Sequence, residues 1–346
     1  MKWMIYGANG YTGELIAREA ARRQMTPILA GRSHSAISTL ADELELSYRV
    51  FALDERLHER LDDVHLVLHC AGPFSATAKP MIEACLATNT HYLDITGEID
   101  IFEYAQSLSQ QASTAGIVLC PGVGFDVIPT DCVAASLASH MPDATHLALG
   151  FDSRSGLSQG TAKTSVEGLA GGGRIREGGQ LRRVPLAFKT RTINFGNGDK
   201  LAMTIPWGDV ATAFYTTGIP NIETFIPASP KLVQRLKRLN LVRPLLGLGP
   251  VQGILKRQVE KRITGPGEQE RSKTSTYVWG EARNADTAIT ARMRTANGYD
   301  VTVHGSLGVV VHLLGAPDVA GAQTPARLMG ASYAETLPGS GAIEFD

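Results

Sequence analysis

Short apolar runs alternate with longer stretches of helical spacing through the first third of the chain. Lys2 to Tyr6 reads as a strand, followed by a glycine turn and an Ala-rich helical run to Arg23. Thr26 to Ala30 is a second strand, Ser35 to Leu46 a helix, and Tyr48 to Leu53 a third strand. His65 to Cys70 is apolar almost throughout, as expected of a strand buried on both faces. Helical spacing over Ala78 to Ala87 and Ile101 to Ala115 brackets strands at His91 to Ile95 and Ile117 to Cys120. This alternation predicts an α/β fold with a doubly wound parallel sheet, whose ligands bind at the carboxyl ends of the strands.

The pattern changes after Asp126. Pro129 to His140 and Thr161 to Leu169 read as helices around a strand from Thr145 to Phe151. Gly171 to Gly173 follows a helix, not a strand, and so reads as a stop or a loop. Alternating segments at 188–195, 201–205, 274–283 and 287–294 are separated within each pair by turn residues, predicting antiparallel hairpins. Tyr299 to Leu314 reads as a helix that returns to the first domain. The expected organisation is a nucleotide-binding domain over 1–128, completed by 299–346, and a second α/β (α+β) domain with a mixed or antiparallel sheet over 129–298.

One stretch has its own character. From Lys231 to Ile263 nine cations are opposed by Glu260 alone. Leu232, Val233, Leu236 and Leu239 recur at helical spacing, as do Val251, Ile254, Leu255 and Val259. A basic amphipathic pair of helices fits either packing on its own domain or a peripheral contact with an anionic membrane over 231–263.

Composition narrows the field. At 346 residues, with 43% hydrophobic and 19% charged residues, the chain is long enough for two domains with real cores. A net charge of -1 gives no general attraction to nucleic acid. Cys70, Cys85, Cys120 and Cys132 have no metal-ligand spacing and read as buried thiols. With no leader pattern before Gly7 and no apolar run of about 20 residues, the expected location is the cytoplasm.

The glycine turn carries the first chemistry. Gly7, Gly10 and Gly13 stand between a strand and a helix. Gly7 permits the tight exit, Gly10 a close approach of backbone to phosphates, and Gly13 close packing of helix on strand. The helix N-terminus then offers free N–H groups to a pyrophosphate. About 20 residues on, an NAD site usually carries an acid for the ribose 2′-hydroxyl. Here stand Gly31, Arg32 and Ser33, a cation and a hydroxyl suited to a 2′-phosphate, so NADP is favoured and NAD is the alternative.

Catalytic candidates gather at the strand ends. Asp94, Glu98 and Asp126 are carboxylates there; His91, Tyr92, Thr96, Thr130 and Lys163 are other polar groups. Asp126 can orient a substrate or relay a proton, or equally cap the helix that begins near Pro129. No tyrosine stands four residues before a lysine, which removes the short-chain reductase dyad. That absence keeps open a second reading, a non-catalytic NADP-binding regulatory or scaffold protein.

The segments taken together resemble the saccharopine dehydrogenase-like oxidoreductases. The carriers are Gly7-Ala8-Asn9-Gly10-Tyr11-Thr12-Gly13 with Ala30-Gly31-Arg32-Ser33, Cys70-Ala71-Gly72-Pro73-Phe74, Thr90 to Glu98, Gly124 to Asp131, and Gly160-Thr161-Ala162. The resemblance is closer to the trans-acting enoyl reductase branch than to true saccharopine enzymes, because Val127-Ile128-Pro129 stands where amino-acid reductases tend to have Asp-Pro-Gly. It implies a Rossmann domain, a second domain that often makes a homodimer contact, and reduction of a C=C or C=N bond in a small or acyl substrate. By match, Gly7, Asn9, Gly10, Tyr11, Thr12 and Gly13 surround the pyrophosphate, and Gly31, Arg32 and Ser33 meet the adenosine end. Ala71, Gly72, Pro73 and Phe74 lie along the ribose and nicotinamide. Thr96, Gly97 and Gly124 to Asp126 border the nicotinamide.

Overall fold

The computed structural model describes residues 1–153, 162, 166, 168–262 and 267–346. They divide into two compact units, one of 1–128 with 299–329 and the other of 129–298 with 330–346.

In the first unit, β1 (Trp3–Tyr6), β2 (Ile28–Gly31), β3 (Tyr48–Val50), β4 (Leu66–His69), β5 (His91–Asp94) and β6 (Val118–Cys120) are all parallel. A seventh strand, Gly321–Ala322, joins the edge beside β6, so the order runs from it through β6, β5, β4, β1, β2 to β3. The strand order reverses between β1 and β4, and there the crevice for a ligand opens. Strands β1, β2, β4 and β5 are buried at every position, which explains the apolar runs of β1, β2 and β4 up to His69; β5 buries His91 and Asp94 as well. Helix Tyr11–Arg22 follows β1 and buries Ile16, Ala17 and Ala20 on its inner side. Helix Gly298–Leu314 is buried along most of its length, and Tyr299 meets Tyr11 edge to face with centroids 5.0 Å apart.

Several bounds differ from expectation for visible reasons. The helix expected from Ala78 begins at Phe74, because the Glu98 carboxylate accepts the Phe74 N–H at 3.0 Å. The single helix expected over 101–115 is two, Ile99–Ser107 and Ser109–Thr114. The C-terminal completion, expected to run to residue 346, reaches only Met329. Residues 330–346 group instead with the second unit, where Glu344–Phe345 pairs with a strand of that unit's sheet.

The second unit holds a mixed nine-stranded sheet. Its strands are β7 (His146–Ser153), β8 (Gly173–Glu177), β9 (Gln180–Val184), β10 (Thr190–Asn194), β11 (Asp199–Ile205), β12 (Asn221–Pro227), β13 (Ser275–Arg283), β14 (Ala288–Ala296) and the short Glu344–Phe345. β10 and β11 form one antiparallel pair and β13 and β14 another, as the alternation predicts. β7 and β12 are parallel to each other at the centre. The β8–β9 hairpin, the strand β12 and a helix at Asp209–Thr217 were not anticipated, and Gly173 opens a strand instead of lying in a loop.

Candidate functional site

The site forms at the carboxyl ends of β1, β2, β4, β5 and β6 in the first unit. Gly7 leaves β1 with φ +83°, and its N–H bonds the Ala30 carbonyl of β2 at 2.7 Å. A Cβ on Gly7 would lie 2.7 Å from the Ala71 nitrogen, and one on Gly13 would run into the Gly7 carbonyl oxygen. Gly10 donates to that same oxygen at 3.0 Å, closing the turn, and then caps helix Tyr11–Arg22 without a side chain. Backbone thus meets backbone where any side chain would intrude, and the first turn of the helix presents its amides to the crevice. This is the surface a pyrophosphate requires, so the residues fit a dinucleotide.

Asn9 reaches toward β2: a Cβ on Gly31 would sit 3.0 Å from its Oδ1. Arg32 and Ser33 follow, both exposed. Ser33 precedes helix His34–Leu44 and makes no side-chain capping bond, so its hydroxyl is not committed to that helix. Burial raises the pKa of the Tyr6 hydroxyl, while Arg32 nearby lowers it, which sets the cation close to the end of β1.

The loop after β4 is held from below. Thr77 Oγ1 donates to the Ala71 carbonyl at 2.6 Å and lies 3.0 Å from His69 Nε2. His69 is completely buried among Tyr6, Phe74 and Tyr92, and burial pushes its pKa down to about 3, so it stays neutral. Ala71, Gly72, Pro73 and Phe74 therefore form a fixed wall, with a cis bond between Gly72 and Pro73.

Asp94 organises the next two loops. Buried at the end of β5, it accepts the Tyr92 hydroxyl at 2.6 Å and the N–H groups of Thr96 and Gly122 at 2.9 Å each. Burial pushes its pKa up to about 6 against those three bonds. It is a clamp, not an exposed acid. Thr96 is buried as well, and its hydroxyl accepts the Glu98 N–H at 3.0 Å. Glu98 is occupied with the Phe74 amide, and His91 Nδ1 accepts the Val118 N–H at 2.9 Å, so both do structural work.

The turn after β6 brings Asp126 to the crevice. Val127 N–H returns to the Gly122 carbonyl at 2.9 Å, and Thr302 Oγ1 of the C-terminal helix accepts the Phe125 N–H at 2.9 Å. The Asp126 carboxyl lies against Gly97, where a Cβ would come within 2.6 Å of Oδ2. Gly97 and Asp126, predicted from separate segments, are thus neighbours. Thr77, His69 and Thr302 were not anticipated; His69 and Thr77 act through each other across the loop, and Thr302 acts on a turn 177 residues away.

Of the remaining candidates, Thr130 belongs to the second unit and is buried. Gly160, Thr161 and Lys163 lie outside the described residues. Cys70, Cys85, Cys120 and Cys132 form no disulfide with one another, and burial pushes the Cys132 thiol up to about 12. Among the described residues no group of His, Cys, Asp or Glu is placed to hold a metal ion.

A parallel sheet with its switch point beside β1, a side-chain-free phosphate cradle and a cation at the end of β2 define a dinucleotide-binding domain of the Rossmann class. Residues 3–120 match the family model of the saccharopine dehydrogenase NADP binding domain. The human saccharopine dehydrogenase-like oxidoreductase is 29% identical over 150 residues, covering 37% of this chain and 35% of that protein. A Mycobacterium tuberculosis protein bearing the name of a trans-acting enoyl reductase is 27% identical over 185 residues, covering 48% of this chain and 44% of its own. The chain thus spans about a third of the first relative's length and less than half of the second's. Apo saccharopine dehydrogenase (L-Glu forming) from Saccharomyces cerevisiae shares the fold over 100% of this chain and 99% of its own, with TM-score 0.69 and 10% identity.

Proposed function

We propose that the chain is an NADP-dependent oxidoreductase that reduces a C=C or C=N bond of a small or acyl substrate. The observation that carries this reading is the shared edge of the sheet. A cradle that admits only backbone sits at the end of β1, and the Asp126 carboxylate faces the same edge against Gly97. The enoyl reductase name of the mycobacterial relative favours a C=C bond.

When bound, NADPH supplies the hydride for such a reduction. Gly7 to Gly13 hold the pyrophosphate, Arg32 and Ser33 the 2′-phosphate, and Ala71 to Phe74 the wall beside the ribose. Asp126, or a water bonded to its carboxyl, supplies the proton that completes the reduction. Asp94 holds the loops that carry Gly97 and Asp126 in register. The second unit makes a dimer contact, as the resemblance implies.

Fluorescence titration with NADPH and NADH tests the cofactor: NADPH binds more tightly, and absence of binding of either at millimolar concentration overturns the reading. Asp126→Asn tests the proton. It is expected to lower kcat by roughly 10²–10⁴-fold with NADPH affinity kept; unchanged turnover removes Asp126 from the mechanism.

A further inference from the structure

Helix Pro230–Leu239 in the second unit uses its apolar stripe only in part. Val233 is buried against Ala187 and Met203, with Leu236 packed beside it, so this face rests on its own sheet. Lys231, Arg235 and Arg238 lie on the opposite face, Lys237 and Leu232 flank the packed one, and all five are exposed. Beyond the helix the chain turns through the short helix Arg243–Leu246 into Gly249–Arg262, and apolar side chains point outward here. Leu241 is 86% exposed; Leu245, Leu248 and Ile254 are each more than half exposed, and Val242 nearly so. Six of the ten large hydrophobic side chains that are exposed among the described residues fall between Leu232 and Ile254. Such clustering marks an interaction surface, whereas scattered exposed leucines would not.

The charge around this tip selects the partner. From Thr224 to Val259 the sequence holds seven cations and no acid, in a chain whose net charge is -1. A second copy docking through the same patch about a two-fold axis would bring two basic rims together. Side chains as exposed as Leu241 project outward and do not line a groove, so they suit a medium that deforms around them. Aliphatic groups at the tip and lysine and arginine at the flanks match acyl chains beneath anionic headgroups.

We propose that the 231–258 segment docks the protein on an anionic lipid surface, with Leu241, Leu245 and Leu248 inserted below the headgroups. No helix among the described residues is long and apolar enough to cross a membrane, so the contact is peripheral. The proposal stands independently of the redox reading.

The test is flotation of the whole chain with vesicles of phosphatidylcholine alone and of phosphatidylcholine mixed with phosphatidylserine. The protein is expected to float with the mixed vesicles at low salt and to release at about 1 M salt, where the Debye length is ~3 Å. Leu241→Ser with Leu245→Ser, at exposed positions that the fold does not need, is expected to lower the bound fraction on the order of tenfold. Lys237→Glu with Arg238→Glu is expected to abolish the preference for the anionic vesicles. NADPH titration and thermal melting of each variant confirm that it is folded. Wild-type protein left in the soluble fraction with mixed vesicles at low salt overturns the proposal. So does a double-serine variant that floats like wild type, or one whose only defect is the loss of a dimer seen by sedimentation.

Discussion

At the scale of single residues, Gly10 and Gly13 are glycine for different reasons. A Cβ on Gly13 has nowhere to go, since the Gly7 carbonyl occupies its place. Gly13→Ala should therefore cost stability, about 1–3 kcal/mol from the forced shift of backbone, and NADPH binding with it. A Cβ on Gly10 would lie 3.3 Å from the Gly7 oxygen, a tight distance that the turn can absorb with small shifts. Gly10→Ala should keep nearly the wild-type melting temperature and lose NADPH affinity, because the methyl group fills the approach to the phosphate. Melting curves and fluorescence titrations on the two variants separate folding from binding. Arg32→Ser should reduce the preference for NADPH over NADH by roughly tenfold or more, the value of one charge-assisted hydrogen bond; the ratio of the two dissociation constants measures it. The glycines were legible in the sequence because the requirement falls on the backbone and is met within seven consecutive positions. His69 was not legible as a support of the Ala71 loop. Its partner Thr77 lies in a helix whose first turn the local pattern missed, and no spacing rule links them.

Among secondary-structure elements, the turn Gly122–Val127 depends on a helix that lies 177 residues from Phe125 in sequence. Thr302→Val keeps the shape of the side chain and removes the acceptor for the Phe125 N–H. Leaving that amide unsatisfied should cost about 1–3 kcal/mol and raise the hydrogen-exchange rate of Phe125 while the exchange of β1 and β4 is unchanged. Exchange measured by NMR or mass spectrometry on the folded protein checks both parts. The elements of the first unit were readable because its buried parallel strands are mostly apolar and alternate with helices. The second unit was readable at its first helix (Ile128–His140), at β7, and where alternating strands are separated by turn residues. In the β8–β9 hairpin Arg174, Arg176, Arg182 and Arg183 break any apolar rhythm. Arg176 is nonetheless buried, donating to the Val210 and Gly179 carbonyls at 2.8 Å each and lying over the Phe214 ring. That solution depends on the helix Asp209–Thr217, more than 30 residues away in sequence. β12 follows Pro220 and ends on Pro227, and is a central strand by virtue of its neighbours β7 and β11.

For the whole molecule, buried ionisable groups set how stability follows pH. Asp209 is fully buried in the second unit, and its pKa is pushed up to about 7, by burial first and by the charge of Asp131. Its folded value lies above the unfolded one, so the unfolded chain loses its proton first as pH rises. The contribution of this carboxyl to stability falls between about pH 4 and pH 7, by at most ~1.4 kcal/mol per pH unit. Asp94 has the same sign up to about pH 6. His69 and His91, held neutral by burial, have the opposite slope below about pH 6.5. The quantity to measure is therefore the difference between Asp209→Asn and wild type in denaturant titrations, which should shift in favour of the variant as pH rises through that window. The route of the chain carries a further consequence. It passes between the units at residues 128, 298 and 329, and β6, complete at Cys120, acquires its outer neighbour only when Gly321–Ala322 is made. During translation at about 5–20 residues per second, some 200 residues separate the two strands, a wait of roughly 10–40 s. Throughout that interval the emerging first domain presents an uncovered sheet margin, and a nascent-chain chaperone that binds exposed strand edges would find its substrate there.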